Sequence, residues 1–282
     1  MQGQGQPVQE RPAQGQPAQE QPEGKKNREV IDDAQLKKLL AADRPSLFEE
    51  YRHCIVTLAL IVINIVVFGF EVVASEFSFT IPSNVLVDMG AMYAPFIQSA
   101  GDLYRFVTPM FLHVTAMHIA FNMVALFSVG GLLEEVLGKR NFLLLYFVGG
   151  ITGNAVSYIA DLYFTNMPVV SAGASTSVFG LFVAAALLGV LHKGGRSRFM
   201  QYSKGILGII AVNVVYTFLI PNISVSGHLG GALGGLIAMF MLPSKSLRVP
   251  NVVRILVATA WVAALTYLVI HEVLIYATIP TP

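Results

Sequence analysis

The chain has 282 residues, 54% of them hydrophobic and 12% charged, against about 25% charged in an ordinary soluble domain, so water is not its main solvent. A net charge of +1 gives no sign of a partner, nucleic acid included. The single cysteine, Cys54, excludes an intramolecular disulfide and any multi-cysteine metal site.

In chain order, the first 24 residues are rich in Gln, Pro, Gly and Glu and lack the apolar stretch of a signal peptide. Residues 1–30 are read as a disordered cytoplasmic tail. Residues 31–52 mix charged and apolar residues at helical spacing, as a short cytoplasmic amphipathic segment does. A charge-poor run over 54–70 opens the membrane part, with Cys54 at its start as a lipid-facing or packing residue. The connection 75–105 is too long to be a simple turn. Its Phe77, Phe79, Met89, Met92, Tyr93 and Phe96 favour the outer membrane interface. Further apolar runs cover 142–160, 168–191, 206–220 and 255–270, each near the length that crosses a bilayer core, and two more segments, 106–133 and 225–242, are broken by His, Asn and Gly yet hold no formally charged residue. Seven spans make an all-α, polytopic membrane protein. No repeat of the kind that marks many secondary transporters is visible.

The basic residues fix an expected orientation, because Lys and Arg concentrate on the cytoplasmic side. Of 18 Lys and Arg, eight precede residue 53 and nine lie at Lys139, Arg140, Lys193, Arg196, Arg198, Lys204, Lys245, Arg248 and Arg254, leaving Arg105 alone on the other side. With seven spans this gives a cytoplasmic N-terminus and an extracellular C-terminus in the cell membrane.

Polar and ionisable residues inside spans are costly and are functional candidates by default. His118, Asn122, Ser175 and His228 are four such residues. Counted from residue 168, Ser175 is expected about 10 Å below the start of its helix, and His228 enters from the same side at similar depth. A serine hydroxyl within hydrogen-bond reach of an imidazole is the arrangement of a nucleophile and its general base. Gly227, Gly231 and Gly235 form a small-residue stripe that lets the His228 helix approach closely, and Gly173 and Ala174 offer a small surface beside Ser175. His118 and Asn122 share a helix face and can both donate towards a developing oxyanion. Ordinary small-residue packing, mutual hydrogen bonding between helices, or a three-histidine metal site are the competing readings. The last lacks the H-E-x-x-H signature and a carboxylate at depth.

The motifs Tyr104-Arg105, His113, His118, Asn122, Gly130-x-x-x-Glu134-x-x-x-Gly138, Gly173-Ala174-Ser175 and His228-x-x-Gly231-x-x-x-Gly235 occur together and in this order. In them the chain resembles the rhomboid intramembrane serine proteases, over roughly residues 53–243. The resemblance implies a six-helix catalytic core at 53–243, followed at 244–282 by a cytoplasmic loop, a seventh span and a short outer C-terminus, a layout several bacterial members share. It implies Ser175 as nucleophile, His228 as base, and His118, Asn122 and the Ser175 N–H as oxyanion donors. His113, Arg105, Glu134, Gly173, Gly231 and Gly235 would be structural supports. It implies transmembrane protein substrates in a setting of membrane lipids, with no cofactor and no metal. The alternative is an inactive relative that binds membrane clients, which would be expected to lack Ser175 or His228. Thr176 stands where the family usually has Gly; its branched side chain has the bulk to crowd the helix contact or the oxyanion site, and the expectation is that it is tolerated. Tyr104 replaces a more usual Trp, and both suit an interface.

Overall fold

A computed structural model describes residues 54–165, 167–193, 208, 211–212 and 224–275. The tail 1–30 and the segment 31–52 lie outside the described residues. So does the expected span 206–220, apart from Gly208, Ala211 and Val212.

The apolar runs become helices α1 (Ile55–Ala74), α2 (Ser83–Asp88), α3 (Ala116–Leu137), α4 (Lys139–Tyr163), α5 (Ser175–Leu191), α6 (Val225–Met241) and α7 (Asn251–Leu268). The helix α7 passes into a π-helical turn at Val269–Ile275. Among the described residues, pairing of extended backbone is limited to isolated bridges such as Met92 with Ser171 and His192 with Leu247. The helices α1, α3, α4 and the stretch Asn251–Val273 are long and apolar enough to cross a membrane, whereas α5 and α6 have 17 residues each. At 1.5 Å per residue these two span about 25 Å, short of a hydrocarbon core of about 30 Å. For α5 the missing length lies in its extended approach, where Ser171 pairs with Met92. The protein is a multi-pass helical membrane protein.

Hydrogen bonds at the helix ends sort the elements into two faces. At one face Glu134, near the end of α3, accepts from Val56 N (2.9 Å), Thr57 N (2.8 Å) and Thr57 Oγ1 (2.8 Å). It thereby satisfies donors that the first turn of α1 leaves unpaired. Lys193 N donates to Ser246 O at this same face, where Lys139, Arg140 and Arg248 also lie. At the opposite face the chain between α1 and α3 folds over the helix ends as short 3₁₀ turns. Arg105 anchors it from inside: 7% exposed, its Nη1 donates to Val87 O (2.8 Å) and Ala91 O (3.1 Å). Its guanidinium lies beside the Tyr104 and Phe96 rings. In the same loop Asp102 accepts from Ser99 Oγ (2.8 Å) and Gln98 N (3.2 Å), bonds that lower its pKa.

In lipid the apolar effect that drives soluble cores is absent, and close helix contact supplies the cohesion. The helix α6 carries it. A Cβ on Gly231 would overlap the Thr176 carbonyl oxygen, and one on Gly235 the Gly180 carbonyl oxygen. Both glycines therefore let α6 lie directly against the backbone of α5. On its other side, Gly230 and Gly234 face Val156, Thr152 and the backbone of α4. The helix α7 is attached more loosely at the periphery, where Trp261 Nε1 donates to Thr152 Oγ1 (3.0 Å).

Candidate active site

Ser175 is the first residue of α5, not a residue two turns inside a helix that starts at 168. The reason is tertiary. Ser171 pairs with Met92 through two backbone hydrogen bonds of 2.8 and 3.0 Å, and Gly173 N donates to Pro109 O (2.8 Å). Gly173 then takes φ +146°, a conformation that disfavours side chains. A Cβ there would also lie 2.7 Å from His118 Cε1 and 3.2 Å from Ser175 Oγ. An extended approach, rather than helix, delivers Ser175 to the interior, where it is 8% exposed.

His228, the fourth residue of α6, is 5% exposed. Its Nε2 lies 2.7 Å from Ser175 Oγ. Ser224 caps α6 by accepting from Gly227 N (3.0 Å), and Ser224 Oγ in turn meets Ser157 Oγ of α4 (2.8 Å). The first turn of α6 is thus fixed in two directions. Phe179, one turn after Ser175 on α5, stacks on the His228 ring with centroids 4.2 Å apart and an interplanar angle of 10°. Sequence reasoning missed Phe179. The i, i+4 spacing from Ser175 was available, but only the partner helix gives it meaning.

His118 and Asn122 both lie buried on α3. The His118 ring sits against Gly173 beside Ser175. Asn122 Nδ2 donates to His118 O (3.0 Å), a bond that uses one of its two amide protons. His113, fully buried, packs edge-on to His118 with centroids 5.3 Å apart, and its Nε2 accepts from Ala174 N (3.4 Å). Among the described residues no three His, Cys, Asp or Glu side chains converge as metal ligands do.

Thr176 is accommodated away from Ser175. Its side chain points between α4 and α6, where a Cβ on Gly153 would lie 2.7 Å from Thr176 Cβ and one on Gly227 3.4 Å from its Cγ2. The absent side chains at Gly153 and Gly227 make the space that the branch fills. Its Oγ1 is buried with no partner. Thr176→Gly is therefore expected to lower stability by about 1–2 kcal/mol through the void and the added chain freedom, while cleavage stays within roughly tenfold. Thermal unfolding and turnover measured on the same sample check both halves.

A buried serine hydroxyl lies against a buried imidazole where the first turns of two helices meet in a multi-pass membrane protein. Residues 100–245 match the Rhomboid domain. The chain is 37% identical over 156 residues to rhomboid protease GluP of Bacillus subtilis, covering 55% of this chain and 29% of that protein. It is 34% identical over 148 residues to putative rhomboid protease YdcA of the same organism (52% of this chain, 71% of that protein). Rhomboid-like protease 3 of Toxoplasma gondii is 32% identical over 198 residues (69% and 72%). The chain belongs to the rhomboid family of intramembrane serine proteases.

Proposed function

We propose that this protein hydrolyses peptide bonds in or near the outer end of transmembrane segments, with Ser175 as nucleophile and His228 as general base. The observation that carries the reading is the 2.7 Å contact between His228 Nε2 and Ser175 Oγ, a distance suited to proton transfer. His228 Nε2 takes the hydroxyl proton as Oγ attacks the scissile carbonyl carbon. The carbonyl oxygen becomes an oxyanion, received by the Ser175 N–H, His118 and Asn122. Collapse of this intermediate breaks the C–N bond, and the leaving amine takes the proton back from His228. Water, activated by the same imidazole, then hydrolyses the acyl-enzyme. Phe179 holds the ring plane throughout.

The catalytic domain is assigned to 53–243, with 1–30 and 31–52 as cytoplasmic segments and 244–282 as loop, seventh span and outer C-terminus. Placing the Lys139, Arg140 and Arg248 face in the cytoplasm puts the N-terminus inside, the C-terminus outside and Ser175 towards the outer leaflet of the cell membrane. The partners are then membrane-spanning proteins presented from the surrounding lipid. A peptide bond in an intact helix is shielded by its own hydrogen bonds, and unwinding in lipid costs several kcal/mol for each group left unpaired. Substrates with Gly, Pro or small polar residues near the cut are accordingly favoured.

The test is reaction of the membrane-embedded protein with a fluorophosphonate probe. Covalent labelling of the native chain and none of Ser175→Ala is expected; equal labelling of both would remove the assignment. Within the same reading, His118→Ala and Asn122→Ala should lower kcat by about 10²- to 10³-fold for the better-placed donor, with KM little changed. Unchanged kcat in both would return these residues to helix packing.

A further inference from the structure

The membrane domain holds a carboxyl group that the chemistry above leaves unused. Glu71 lies in the last turn of α1 and is fully buried. A carboxyl group at that position is expensive in a bilayer-solvated bundle and calls for a function or a partner. Among the described residues no Lys or Arg side chain pairs with Glu71; the one close histidine–carboxylate contact joins His271 to Glu272. Its Oε1 accepts from the backbone N–H of His113 (2.9 Å), and its Oε2 has no partner.

That N–H belongs to the extended link between the 3₁₀ turn Thr108–Phe111 and α3, where no helical partner is available to it. The same residue extends its ring to the serine loop, with Nε2 accepting from Ala174 N at 3.4 Å. Acceptance requires that Nε2 carry no proton. The bond is near the long limit, so a shift of a few tenths of an ångström at the His113 backbone would break it. A continuous path therefore runs from the α1 carboxyl through the His113 backbone and ring to the N–H of Ala174, the residue before Ser175.

We propose that Glu71 is a positioning residue: through His113 it sets the placement of Ala174, and hence of the Ser175 N–H and Oγ that meet the substrate carbonyl. This rests on Ser175 being the nucleophile. The ordinary alternative is that Glu71 merely satisfies a buried N–H and contributes to stability alone.

The two are separated in the full chain, reconstituted in liposomes with a single-span substrate, by Glu71→Leu, Glu71→Gln and His113→Phe. Glu71→Gln keeps an acceptor at Oε1; Glu71→Leu removes it. His113→Phe keeps ring volume and backbone N–H and deletes the acceptor Nε2. Glu71→Leu is expected to lower kcat by about tenfold or more, to leave KM within roughly twofold, and to slow fluorophosphonate labelling in proportion. Glu71→Gln should restore kcat to within about threefold of native. His113→Phe should reproduce the Glu71→Leu loss, and the double variant should be no worse than the poorer single one, as coupled residues behave.

A native kcat in Glu71→Leu, an effect confined to KM, or equal losses in Glu71→Leu and Glu71→Gln overturns the proposal. If Glu71→Leu does not fold, His113→Phe decides: full kcat there overturns the path, and a kcat loss with unchanged unfolding temperature supports it. Ser175→Ala run alongside tells the failures apart. Cleavage that survives Ser175→Ala removes the nucleophile assignment and this proposal together, whereas a dead Ser175→Ala beside a native Glu71→Leu removes this proposal only.

Discussion

Ser175→Ala and His228→Ala are each expected to lower cleavage by about 10⁴-fold or more, and the double variant to be no worse than either. The Oγ–Nε2 pair at 2.7 Å acts as one unit: without the imidazole the hydroxyl keeps its proton, and without the hydroxyl the imidazole has nothing to activate. Folding should survive both changes. Ser175→Ala removes one oxygen at the N-terminus of α5, and His228→Ala leaves the glycine contacts of α6 with α5 and α4 in place. Turnover of a single-span substrate, measured with unfolding temperature, separates lost chemistry from lost structure. Addition of a chelator should leave native turnover unchanged. Losses that multiply in the double variant would show that the two residues act independently.

The spans were readable from sequence because lipid imposes a strong rule: a helix that crosses must be apolar and nearly free of charge. The runs at 54–70, 142–160 and 255–270 accordingly fall within α1, α4 and the α7 segment. Residues 168–174 were not readable. Pro168 to Ala174 is as apolar as a helix, and nothing local reveals that Ser171 pairs with Met92 or that Gly173 adopts positive φ. The same limit applies at 106–115, where the apolar run precedes α3 as 3₁₀ turns and extended chain. Hydropathy senses the solvent, whereas tertiary hydrogen bonds decide the backbone.

The polar residues of the site were legible for a related reason. Nothing but function or an obligatory partner keeps Ser, His and Asn at depth, so Ser175, His228, His118 and Asn122 stood out. Their surroundings did not. Phe179 looks like any lipid-facing aromatic until α6 brings His228 over it, and Thr176 looks obstructive until Gly153 and Gly227 are seen to make room. Glu71 and His113 are 42 residues apart, and no periodicity connects them. Each of these relations depends on a helix-to-helix approach that a one-dimensional pattern does not encode.

The closest such approach carries the second large effect. Gly231→Ala adds one methyl group, and that carbon would overlap the Thr176 carbonyl oxygen while lying 2.8 Å from Thr176 C and 3.1 Å from Thr176 Cα. All three atoms are backbone, so no rotamer change relieves the clash, and the helices α5 and α6 must part. Overpacking of this kind costs about 1–3 kcal/mol, which a folded bundle can survive. The site is far less tolerant, because Ser175 and His228 sit on the two helices being separated. A displacement of about 1 Å at reacting groups can lower the rate by about 10²-fold, and at their present 2.7 Å the pair has little slack before the hydrogen bond is lost. Gly231→Ala should therefore stay folded with a reduced unfolding temperature and lose about 10²-fold in kcat. Gly189→Ala is the matched control: it lies on the same α5, with nothing within 4 Å of an added Cβ, and both quantities should stay near native. Native turnover by Gly231→Ala would mean that the α5–α6 contact relaxes without moving the pair, and that the small-residue stripe serves packing rather than the alignment of Ser175 with His228.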